Sequence, residues 1–183
     1  MLYYYVHTMS STPSDLPINN PVIMGIDPGL ADLGWGVVTN EKSLIKLVDF
    51  GVIKTKSTQK LTDRLQSIYR EITKIIKNYQ PNRIGIEQLF FGKNAKTAMV
   101  VGEARGVVLL ALAQLGYEPI EFKPAEIKMT LTGYGNADKK QIQFMVKTML
   151  KLKHIPKPDD AADALAVAIT CAITNPRLKG VRS

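Results

Sequence analysis

The apolar residues change their spacing along the chain, and each change marks an element. Val22-Ile-Met-Gly-Ile-Asp27 is apolar up to its last residue, the pattern of a buried strand, and Pro28-Gly29 ends it in a turn. Gly34 to Val38 and Leu44 to Ile53 predict two more strands, so the chain opens as an antiparallel meander. Leu61, Leu65, Ile68, Ile72, Ile75 and Ile76 then recur at helical spacing, with Ser57 or Thr58 as the expected N-cap and Pro81 beyond the end. Arg83 to Glu87 predicts a fourth strand. Asn94 caps an expected helix to about Leu115, stopped by Gly116, and Tyr117 to Phe122 predicts a fifth strand. Strand, helix, strand implies a parallel portion. A short helix after Pro124, a loop at Gly133-Tyr-Gly135, a helix from about Ala137 to Leu152 and a last one from about Asp159 to Thr174 complete the reading. The expectation is one α/β domain over residues 21–175, a five-stranded mixed sheet flanked by helices, with a disordered extension over 1–20 and a tail over 176–183.

Four acids stand at informative places in this pattern. Asp27 ends the first strand, Glu87 ends the fourth, and Asp160 and Asp163 lie three apart on one face of the last helix. If they converge, their repulsion calls for divalent cations with oxygen ligands such as Mg²⁺ or Mn²⁺. Two such ions can activate a water and stabilise a leaving oxygen, which is phosphodiester chemistry. Each acid also has a plainer reading: Asp27 before Pro-Gly suits a turn, and Asp159 and Asp160 suit the start of a helix. For Asp159 the helix-start role is preferred. Glu87 ends an apolar strand beside the core and needs a partner there.

Charge adds a second component. The formal net charge is +8, and eight lysines between Lys123 and Lys157 face only Glu126 and Asp138. A polyanion such as nucleic acid suits that cluster, as does a merely solvated face. Lys139 and Lys140 begin a helix, where the dipole disfavours cations, and a phosphate would compensate. Cys171, the single cysteine, lies in an apolar helix and excludes an intrachain disulfide. His7 and His154 have no sequence partner that suggests ligation, and Trp35 between glycines reads as core. No run is long and apolar enough for a membrane span, and residues 1–20 lack the Lys or Arg of a targeting signal, so a cytoplasmic protein is expected.

The motifs closely resemble those of the RuvC family of Holliday-junction resolvases, within the ribonuclease H-like superfamily. The matching stretches are Gly25-Ile-Asp-Pro-Gly29, Gly34-Trp-Gly36, Ile86-Glu-Gln88 with Phe90, Lys93-Asn94-Ala95, Ala104-Arg-Gly106, Lys128, Gly133-Tyr-Gly135, Lys139 and Asp160-Ala-Ala-Asp-Ala-Leu165. The resemblance covers about Val22 to Thr174. It implies a ribonuclease H-like fold, Asp27, Glu87, Asp160 and Asp163 as catalytic metal ligands, and two Mg²⁺ ions. It also implies Lys128 and Lys139, with Lys140 beside them, near the DNA phosphates, and Phe90 opening four-way junction DNA. A RuvA–RuvB branch-migration complex is the implied partner. Residues 1–20 and Asp159 depart from the family pattern.

Symmetric cutting of two strands suits a homodimer, and Ala98, Gly102 and Gly106 at four-residue spacing permit a close helix contact; ordinary core packing is the alternative. Competing functions are a YqgF-like RNA nuclease, an actin-like ATP-binding protein and a catalytically dead DNA-binding scaffold. The Asp160–Asp163 pair counts against the first, the short chain against the second, and four intact acids against the third.

Overall fold

A computed structural model describes residues 20–89 and 95–174. Five strands form one mixed sheet in the order β3-β2-β1-β4-β5, where β1 is Val22–Asp27, β2 Asp32–Glu41, β3 Leu44–Lys54, β4 Arg83–Glu87 and β5 Ile120–Phe122. The first three pair antiparallel, and β4 joins β1 in parallel with Ile26 opposite Ile86. Helices α1 (Leu61–Tyr79) and α2 (Ala95–Gln114) cover one face, while α3 (Pro124–Thr132), α4 (Lys139–Met149) and α5 (Asp159–Ile173) cover the other.

Strand alternation divides the side chains between two cores. Met24, Ile26, Ile84 and Ile86 pack toward α1 and α2 with Trp35, which is buried as expected. Ile23 packs toward α5, and so do the open positions Gly25 and Gly85. By the same alternation Asp27 and Glu87 face α5. Cys171 is buried there, and burial pushes its thiol up to about 11, which leaves it inert.

Several boundaries differ from expectation. β2 and β3 meet in a two-residue turn at Lys42 and Ser43, both with positive φ, so β2 runs on to Glu41; neither residue is the Asn or Gly that usually marks such a turn. The N-cap of α1 is Lys60, later than Ser57 or Thr58, and no side chain caps it. β5 is shorter than Tyr117 to Phe122, because Tyr117 N–H donates back to Leu112 O and Pro119 has no N–H to give. Helix α4 starts at Lys139 instead of Ala137, fixed by a reciprocal cap: Gln141 N–H donates to Asp138 (2.9 Å) and Asp138 N–H to the Gln141 side chain (2.8 Å). That cap supplies negative charge where Lys139 and Lys140 would otherwise face the helix dipole alone.

Candidate active site

The cleft is set by how closely α5 lies on the sheet. A Cβ at Gly25 would fall 2.2 Å from Ala164 O, one at Gly34 2.0 Å from Asp160 O, and one at Gly36 2.6 Å from Leu165 Cδ2. Only glycines on β1 and β2 admit the helix backbone at this range, and the alanines of α5 complete the fit. Gly34 is also the register partner of Asp27, so the first turn of α5 is pinned across the strand end that carries that acid. Glu87 ends the neighbouring parallel strand. The four acids named from the sequence thus come from three elements to one edge of the sheet.

Their electrostatics record that convergence. Burial first, then the charges of Glu87, Asp163 and Asp160, push the Asp27 carboxyl well above its ordinary value. Burial and the charge of Asp163 raise Glu87, while a hydrogen bond from Asp27 and the charge of Lys128 pull it back. Burial also raises Asp163, against a hydrogen bond from Lys139. Asp27 and Glu87 keep part of their surface open to solvent.

Two lysines close the cleft from the α3 and α4 side. Glu87, Lys128, Lys139 and Asp163 share a cavity of about 230 Å³ with Ile127 and Ile142. Lys139 Nζ lies 3.0 Å from Asp163 and 3.5 Å from Asp159. Partial burial works against the ammonium, but the bonds and charges of those two acids outweigh it and hold its pKa up. Asp159 stands in the first turn of α5, as expected, just after the N-cap Pro158, and its carboxylate also pairs with Lys157 at 2.6 Å, which lowers its pKa. Lys157, two residues earlier, is the sequence signal for this pairing.

The donor set fits a hard divalent cation. It offers carboxylate oxygens only, and the repulsion that raises Asp27, Glu87 and Asp163 is what such an ion relieves. Among the described residues no three of the acids stand in ligating geometry as placed; Lys139 engages Asp163 instead.

The remaining site residues named from the sequence fall elsewhere. Lys140 lines a different surface groove with Tyr134 and Phe144. His154 is exposed. Phe90, Lys93 and Asn94 lie outside the described residues, as do residues 1–19 with His7 and residues 175–183. On α2, Ala98 is buried, Gly102 is half-buried and Gly106 is open to solvent between exposed Met99 and Leu110. No helix among the described residues is long and apolar enough to cross a membrane.

The family model described as crossover junction endodeoxyribonuclease RuvC matches residues 23–171. A relative of that name from Alkaliphilus oremlandii is 52% identical over 153 residues, covering 84% of this chain and 93% of its own. Another, from a Roseiflexus species, is 49% identical over 158 residues, covering 86% and 94%. Among solved structures, Thermus thermophilus RuvC in complex with a Holliday junction substrate superposes with a TM-score of 0.78 at 34% identity, over 82% of this chain and 92% of that one.

Proposed function

Because the chain belongs to the RuvC family of crossover junction endodeoxyribonucleases, we propose that Asp27, Glu87, Asp160 and Asp163 are the acids with which it cuts Holliday junctions. The observation that carries this assignment is the convergence of two adjacent strand ends with the first turn of α5, fixed by the contacts of Gly25 and Gly34.

Nucleases of this family depend on a metal ion, and two Mg²⁺ ions, or Mn²⁺ in their place, would activate a water and stabilise the leaving oxygen. The protein's part is to hold and orient. Asp27 and Glu87 end adjacent parallel strands, and turning of their side chains toward an ion would bring them into a ligand set. Lys128 and Lys139 line the same cavity as Glu87 and Asp163, which supports a role for them in binding the phosphates near the bond to be cut. Lys140 contacts DNA beyond the cleft, and Phe90 stacks on or wedges between bases at the crossover.

A homodimer would carry two such sites for symmetric incision. Exposed Met99 and Leu110, with Gly106 open between them on α2, support it, because uncovered apolar side chains beside a glycine suit contact with another helix. In this reading residues 21–175 are the nuclease domain, the enzyme is cytoplasmic, and a RuvA–RuvB complex delivers the junction.

The test is Mg²⁺-dependent cleavage of a four-way junction beside duplex DNA and structured RNA. Symmetric incision of the junction, with duplex and RNA left intact, is expected. Preferential cleavage of RNA would overturn the assignment.

A further inference from the structure

Beyond the carboxylate cleft, α4 carries a second concave surface. Tyr134, Phe144, Met145 and Ile155 line an open cavity of about 740 Å³ with Ala137 at its base and Lys140 on its wall. Tyr134 and Phe144 are each 60% exposed, a large aromatic surface for one groove to leave uncovered. On the outward side of α4, Lys140 and Lys147 lie one turn either side of Phe144, roughly 10 Å apart along the axis. Lys151 and Lys153 extend the same charge beyond the helix end. The acid in the groove wall, Asp138, is occupied in capping α4.

Lys139, one residue away, turns to Asp163 in the catalytic cleft. Helix α4 therefore separates two surfaces: a wet, charged cleft and an apolar groove with a basic rim. We propose that this groove docks an acidic amphipathic segment of a protein partner, whose apolar side chains enter between Tyr134, Phe144, Met145 and Ile155 while its carboxylates meet Lys140 and Lys147. Charge complementarity selects an acidic occupant. The mainly apolar lining, in which Met145, Ile155 and Ala137 lie beside the two rings, favours apolar side chains of a protein segment over nucleic acid, whose bases stack on aromatic platforms with phosphates running beside them. Docking here does not depend on the assignment of the four acids, and it competes for Lys140 with the DNA contact proposed for that residue.

The test uses the full chain and fluorescence anisotropy with three fluorescein-labelled probes. One is a helical peptide with leucines at i, i+3, i+4 and i+7 and glutamates elsewhere; the second has lysines for the glutamates; the third is an oligothymidylate. The acidic peptide is expected to bind, and Phe144→Ser and Tyr134→Ser are each expected to weaken it at least tenfold, with junction binding and thermal unfolding as in the parent. The lysine peptide is expected not to bind. Failure of the acidic peptide to bind the parent, or equal binding to both variants, overturns the proposal. So does a loss of oligothymidylate or junction binding in both variants, which would make the groove a nucleic-acid surface.

Discussion

The two sides of the cleft are built differently. On one side the acids ride on β1, β4 and α5, elements locked together by backbone contacts that leave no room for a single methyl group at Gly25 or Gly34. On the other side Lys128 and Lys139 extend from α3 and α4, short helices held by local caps and the edge of a core. The difference suits the tasks that the proposed function gives the two sides, metal binding by the acids and phosphate binding by the lysines. Metal ligands must be held near their final positions, since displacement of a ligand by a fraction of an ångström costs rate. Phosphate contacts have to follow a branched substrate, and long lysine side chains on exposed helix turns adjust at little cost.

A substitution at the rigid side should have the largest effect. Gly25→Val places branched carbons where Ala164 O and Ala168 N already stand. Relief requires α5 to lift from the sheet, at a cost at or above the ~1–3 kcal/mol typical of overpacking. Chemical denaturation measures this, and a parent-like midpoint would mean that α5 is not pinned there.

A smaller effect of opposite sign is expected from Asp27→Asn in metal-free protein. The folded-state pKa of Asp27 lies above its unfolded value, so the folded state holds the proton more tightly between the two. Its contribution is complete below the ordinary carboxylate range and is lost as pH rises through the raised value. The amide that replaces the carboxyl carries no charge at any pH and can still donate to Glu87. The variant should therefore melt higher than the parent at neutral pH, with the gap closing as pH falls. Melting curves across pH in chelator test this, and a lower melting temperature at neutral pH would contradict it.

The lysine side should yield the smallest change. Lys139→Ala and Lys128→Ala should keep parent stability but weaken junction binding. Each should lower the slope of log affinity against log salt by about one unit. An unchanged slope would remove that lysine from the phosphate contacts.

How much of the molecule is legible in its sequence follows the same division. The strand ends bearing Asp27 and Glu87, and the helix face bearing Asp160 and Asp163, are written in short-range apolar patterns and can be read directly. The glycines of Gly34-Trp-Gly36 are visible as a motif, but their partner is the backbone of α5, more than a hundred residues away, and no local pattern encodes that. Asp159 is legible as a helix-start acid and lies in the first turn of α5, but its ion pairs with Lys157 and Lys139 appear only in the folded chain. The turn at Lys42-Ser43 escapes sequence reading because pairing of β2 with β3 overrides the residue preference of a tight turn. The groove beside Phe144 needs α4, the preceding loop and Ile155 assembled before it exists.

The most direct test of the central claim compares parent and Asp163→Asn on a four-way junction, with binding measured in chelator and cleavage in Mg²⁺. The amide keeps the shape of the side chain and removes one charge from the metal-binding set. Cleavage should fall by at least about a hundredfold, while binding survives or tightens because a charge that repels phosphate has gone. Cleavage by Asp163→Asn at near the parent rate would contradict the account and leave Asp163 as an ion-pair partner of Lys139 alone.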